Sequence, residues 1–212
     1  MPPAGSVSRT LRFFSRGDRV AARLWLPAPG AAPAPCVLLP RAGRRELQEP
    51  LEASARDWAQ RGAAVASIDL PLFGERRSAK LSELLSQALS GRIASGESAL
   101  LVAEFLSQSL ADLARALDAL SRAPEVDASR SAVVGFELGG TVGALWCGDE
   151  PRLRAAALSL DGACPALAAF EPEAALRRFA PRPLLRHGGS PLESAASIWS
   201  FLQPALEVAP RS

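Results

Sequence analysis

Apolar residues in this chain fall into short unbroken runs separated by stretches of helical period, and the two kinds alternate. Thr10-Leu11-Arg12-Phe13-Phe14-Ser15 and Arg19 to Pro27 are strand-like and flank Arg16-Gly17-Asp18. Gly and Asp favour a tight turn, so the pair predicts an opening β-hairpin, and the Arg-Gly-Asp string needs no adhesive role. Cys36-Val37-Leu38-Leu39, Ala63 to Ile68, Ser131 to Val134 and Ala155 to Leu160 are apolar throughout. Such runs suit strands covered on both faces. Pro183 to Arg186 and Ala205 to Val208 read as two further short strands.

Helical stretches fill the gaps. Leu51 to Arg61, Leu81 to Leu89, a helix beginning at Gly140 to Trp146, and Leu192 to Leu202 all fit. The longest runs from Leu100 to Leu120, with Leu101, Phe105, Leu106, Leu110, Leu113, Leu117 and Leu120 on one stripe. Strand and helix alternating in this way predict parallel βαβ units with helices on both faces of one sheet. A chain of 212 residues without internal repeat or long linker predicts one domain over 1–212.

Composition narrows the function more than the fold. The net charge of +2 is small and spread out, which argues against nucleic acid or an acidic membrane as partner. No apolar stretch of membrane-spanning length occurs, and the start lacks a signal-peptide pattern, so a cytoplasmic location is expected. Three cysteines without metal spacing and one histidine leave no basis for a zinc site, and no phosphate-binding loop suggests a cofactor.

Chemistry concentrates at Gly135-Phe136-Glu137-Leu138-Gly139-Gly140, directly after one strand and before a helix. This is the context of the G-x-S-x-G elbow, in which glycines flank a residue lifted above the sheet. Backbone N–H groups of the helix start can hold an oxyanion there, Leu138 among them. Glu137 stands in the serine slot. With Cys36 to Gly43, Asp69 to Arg76, Val126 to Arg130 and Pro183 to Gly188 in order, the chain resembles the dienelactone-hydrolase and acyl-esterase branch of the α/β-hydrolase superfamily.

The resemblance implies an α/β-hydrolase fold with an N-terminal hairpin, a shortened C-terminus and a small acyl or ester-like ligand. It also exposes departures. The family's serine is Glu137; its His-Gly after the third strand is Pro40-Arg41; the aspartate of its H-G-x-x-D motif is Pro191. Its catalytic histidine is expected past Val208, where the chain reads Pro210-Arg211-Ser212. His187 is the one histidine, but it is not at the family's base position.

Two readings of Glu137 stay open. One is a carboxylate held at a helix start and neutralised by Arg41, or by Arg44 or Arg76, because an acid and a base have replaced the family's serine and His-Gly together. The other is a carboxylate nucleophile or general base of an ester hydrolase, with His187 as its only basic helper. Asp69, Glu75, Asp161 and Cys164 lie near strand ends where such folds bind ligands, though each also reads as a cap, a solvated loop residue or an inert thiol. Loss of several triad members at once favours a non-catalytic ligand- or partner-binding module over an acyl-ester hydrolase. An obligate subunit, or a homo-oligomer whose second copy supplies the missing cover, is a third expectation.

Overall fold

A computed structural model describes residues 6–29, 32–42, 48–93, 96–161 and 164–208. Among these residues seven strands form one sheet: β1 (Val7–Ser15), β2 (Asp18–Leu26), β3 (Ala34–Arg41), β4 (Ala64–Asp69), β5 (Val126–Gly135), β6 (Leu153–Leu158) and β7 (Leu184–Arg186). Their order is β1-β2-β4-β3-β5-β6-β7. The pairs β1·β2 and β2·β4 are antiparallel and all others parallel. The hairpin closes with Arg16 and Gly17 at φ 47° and 89°, the left-handed pair that a two-residue turn matching strand twist requires.

Among the described residues, seven α-helices cover the sheet: α1 (Gln48–Gln60), α2 (Ala79–Leu89), α3 (Gly96–Leu120), α4 (Glu137–Asp149), α5 (Pro165–Ala168), α6 (Pro172–Phe179) and α7 (Pro191–Ala205). Strand parity sorts the core into two layers. Cys36 and Leu38 of β3 face Leu113, Leu117 and Val142 of α3 and α4, while Val37 and Leu39 face Trp58 of α1 and Trp199 of α7. Because both faces are covered, β3 and β4 are apolar almost throughout. Each fully buried leucine of α3 contributes about 1.5–3 kcal/mol relative to exposure.

Three features depart from the sequence reading. Ala205 to Val208 is not a strand. Ala205 ends α7 and Leu206 continues its apolar stripe one turn after Leu202, both residues being buried beside Trp58. Four residues carry too little periodicity to separate a strand from a helix end. The second departure is α5 and α6, each opened by a proline in its first turn, where a missing N–H costs nothing. The third is Asp112, fully buried on the core stripe of α3, where Arg76 reaches it as an ion pair.

Candidate functional site

The sharp turn between β5 and α4 is built by close backbone approach. Phe136 is extended at φ −124°, ψ 140°, and Glu137 then turns into the left-handed region at φ 50°. A side chain on L-residues crowds its own carbonyl there, so the conformation is held by its surroundings. A Cβ on Gly139 would lie 2.3 Å from the Pro40 carbonyl oxygen, and one on Gly140 would lie 1.9 Å from that of Ser159. Only hydrogen fits at either position, so the first turn of α4 is pressed against the ends of β3 and β6. Glu137 is half-buried at the helix start, where the N-terminal dipole favours a carboxylate, and the N–H of Leu138 is among the first-turn donors without an intrahelical acceptor.

The expected pairing of Glu137 with Arg41 is not made. Arg41 donates from Nε to Asp69 Oδ1 at 2.8 Å, its Nη2 lies 2.6 Å from the same oxygen in an ion pair, and its Nη1 lies 3.5 Å from Glu52 of α1. Register gives the reason. Arg41 and Asp69 are direct partners across the parallel β3·β4 ladder, so their side chains leave the sheet on one face, the face that α1 covers. Glu137 stands at the start of α4, which covers the other. Arg76 is also committed elsewhere, to Asp112 and, at 3.3 Å, to Asp18. Among the described residues no arginine pairs with Glu137; Arg44 lies outside them.

The named candidates therefore separate into two groups. Asp69 holds Arg41 and also accepts from the Glu75 backbone N–H at 3.2 Å, tying the turn after β4 to the sheet. Glu137, Cys164, Asp161 and His187 belong to the neighbourhood of the elbow. His187 follows β7, its N–H donating to the Leu158 carbonyl at 3.2 Å, and its ring packs 4.7 Å from that of Phe136. Both ring nitrogens are shielded from water without a hydrogen bond of good geometry, the nearest polar influences being the Ala157 backbone and Asp161. Desolvation outweighs those influences and lowers the His187 pKa below 6.5, so the ring is neutral at neutral pH.

No thiol is activated. Burial pushes Cys36 and Cys147 up to about 12. Cys164 is raised by partial burial first and by the negative charge of Glu137 second. A reactive cysteine needs the opposite surroundings. No group of three or more His, Cys, Asp or Glu among the described residues is arranged to hold a metal ion, and no helix among them is long and apolar enough to cross a membrane.

Two functional signals went unused in the sequence. Ser190-Pro191-Leu192-Glu193 is a capping box: Ser190 Oγ accepts from the Glu193 N–H, and the Glu193 carboxylate accepts from the Ser190 N–H at 2.9 Å. Pro191, at the position where the resemblance places an acid, is thus the first residue of α7. Glu52 is the other, one helical turn after Gln48 and facing Arg41 and Arg23.

A mostly parallel sheet entered through a hairpin, with a strained strand–turn–helix elbow after β5, defines an α/β-hydrolase fold. Solved structures agree at the level of fold. A candidate dienelactone hydrolase from Klebsiella pneumoniae shares 16% identity over 93% of this chain and 98% of its own, with TM-score 0.62. An esterase from an Arctic intertidal metagenomic library shares 19% over 96% and 92%, with TM-score 0.61. The chain spans under half of some longer relatives, such as 44% of a hypothetical protein from Pseudomonas aeruginosa (22% identity over 75% of this chain, TM-score 0.53). No curated protein matches. The family model for acetyl xylan esterase (AXE1) matches residues 10–173, and the chain belongs to that family. The match includes the elbow and stops short of β7, His187 and α7.

Proposed function

We propose that this chain is a non-catalytic member of its family, a module that keeps the hydrolase fold to hold a small ligand or a partner. The observation that carries this reading is Glu137 at φ 50° on the strand–turn–helix elbow, with no hydrogen-bonded base or acid beside it among the described residues. Serine chemistry needs an alcohol, a base that takes its proton and an acid that orients the base. Here the alcohol is a carboxylate, the acid position is a helix-starting proline, and the only histidine in the sequence has both nitrogens turned into a protein wall.

A second reading rests on the finding that no arginine among the described residues pairs with Glu137. A carboxylate at an elbow is able to attack an acyl carbonyl through one oxygen, forming a mixed anhydride and expelling the alcohol as alkoxide. Water must then cleave the anhydride, and this step normally needs a base in reach. Among the described residues His187 is the one base nearby, and both of its ring nitrogens are enclosed, out of contact with such a water.

Fluorophosphonate labelling of the native chain, alongside Glu137→Ser, tests the first reading. The native protein is expected to remain unlabelled, and Glu137→Ser to hydrolyse esters no faster than buffer. Stoichiometric labelling of one native serine, or turnover by the variant at ordinary esterase rates, overturns it.

A further inference from the structure

Among the described residues β1 pairs only with β2 and ends the sheet, and it is nine residues long. An edge strand turns alternate N–H and C=O groups outward, a template for one more strand. A groove of about 540 Å³ is lined by four consecutive residues of β1, Leu11 to Phe14, and by none of β2. Successive side chains of a strand leave by opposite faces, so a groove touched by all four follows the strand's outer edge. Its far wall is one stripe of α3, Arg115, Asp118, Ala119 and Arg122, at the i, i+3, i+4, i+7 spacing of a single helix face.

The floor of the groove is apolar and its rim is basic. Leu11 and Phe13 pack against the core on the α3 side, and Phe14, on the opposite face, is 69% exposed. Asp118 is the single acid on the lining against four arginines, and Arg115 and Arg152 already neutralise it, at 3.2 and 2.7 Å. Arg16 pairs with Glu104 at 3.1 Å. Arg12 and Arg122 have neither an ion pair nor a side-chain hydrogen bond among the described residues.

These charges decide between occupants. A second copy of the chain would bring Arg9 and Arg12 and no acid on its own β1, so self-pairing sets like charges beside like. An acidic strand instead meets Arg12 and Arg122. We propose that the β1 edge and its groove take an extended acidic segment of a partner protein as an added strand. Its apolar side chains settle against Leu11, Phe13 and Ala119, and its carboxylates pair with Arg12 and Arg122 at the rim. The inference deepens the reading of the chain as a partner-binding module by giving the partner a chemistry. It uses no residue of the elbow, since three strands stand between β1 and β5.

The test is fluorescence-anisotropy titration of the full chain with a labelled peptide alternating valine and glutamate and flanked by aspartates. The comparators carry lysine for the acids, the same residues sorted into two blocks, or N-methyl groups on alternate amides in either register. The acidic alternating peptide is expected to saturate with Kd below about 1 mM and to weaken about tenfold in about 0.5 M salt, where ionic attraction is screened. It is expected to slow hydrogen exchange of β1 amides, and one N-methylated register is expected not to bind. Arg12→Glu combined with Arg122→Glu, both on the surface, should weaken binding at least about tenfold, and Ala119→Trp should abolish it by filling the groove. No saturation by the acidic peptide, equal binding of the lysine or block peptide, or full binding of both N-methylated registers overturns the proposal. So does binding that survives the double charge reversal or leaves β1 exchange unchanged. Protection of β1 that grows with protein concentration in the absence of peptide also overturns it, by placing a second copy on the edge. Ester hydrolysis enters none of these readouts, so the edge and the elbow fail separately.

Discussion

The guanidinium of Arg41 donates a hydrogen bond from Nε to Oδ1 of Asp69, its direct partner across β3·β4, holds the same oxygen in an ion pair through Nη2, and makes no contact with Glu137. Both members are largely enclosed, with side-chain exposures of 16% and 11%. A charge-assisted pair in such a place is worth about 1.5–3 kcal/mol. Urea unfolding of Arg41→Ala, Asp69→Ala and the double variant should show coupling of about that size. Arg41→Ala combined with Glu137→Ala should be additive within about 0.5 kcal/mol, and coupling beyond that contradicts the geometry.

The elbow is strained at Glu137, which offers a comparison free of charge effects. Glu137→Gly and Glu137→Ala both remove the carboxylate, but only glycine adopts φ 50° without a steric penalty. The glycine variant should be the more stable of the two by about 1 kcal/mol. Equal stability would show a relaxed backbone.

Arg76 and Asp112 form the most enclosed ion pair among the described residues, Asp112 being fully buried. Arg76→Ala leaves that carboxylate with only the neutral Gln108 amide, which donates to it at 2.7 Å, and should cost about 3–5 kcal/mol. Arg76→Met with Asp112→Leu should recover most of the loss, because two apolar groups need no partner. A mild loss in Arg76→Ala would contradict the pairing.

His187 sets a pH dependence of definite sign. Its folded pKa lies below its ordinary value because burial disfavours the imidazolium, so the unfolded chain binds the extra proton. The stabilisation is fully present above the unfolded value near 6.5 and is lost as pH falls toward the folded value. The native protein should lose stability as pH falls through and below 6.5, and His187→Phe, which keeps the ring contact with Phe136, should lose less over the same interval. An identical pH slope in the variant would show that the histidine is solvated.

Much of the fold was legible because it depends on long apolar runs. Cys36 to Leu39 and the stripe from Leu106 to Leu120 have only one way to be buried, and the elbow announced itself through Gly135, Gly139 and Gly140. The site was less legible, because a sequence places residues at strand ends without saying which face they leave by. Arg41 and Glu137 are neighbours by topology, yet the alternation that puts Leu39 under α1 also sends Arg41 there, toward Asp69 and Glu52. That parity was present in the sequence. The Ser190–Glu193 box was present too, masked by the fact that Pro191 falls where the resemblance places an acid. What no pattern held was the buried Asp112, since its partner Arg76 comes from a turn 36 residues away.

The central claim is that the carboxylate at the elbow performs no acyl transfer, and the most direct measurement is hydrolysis of p-nitrophenyl acetate and butyrate by the native chain and by Glu137→Gln. The account predicts that both run at the rate of buffer, across pH, at protein concentrations where any esterase would be evident. Turnover by the native chain that Glu137→Gln abolishes would contradict it and make Glu137 a catalytic carboxylate.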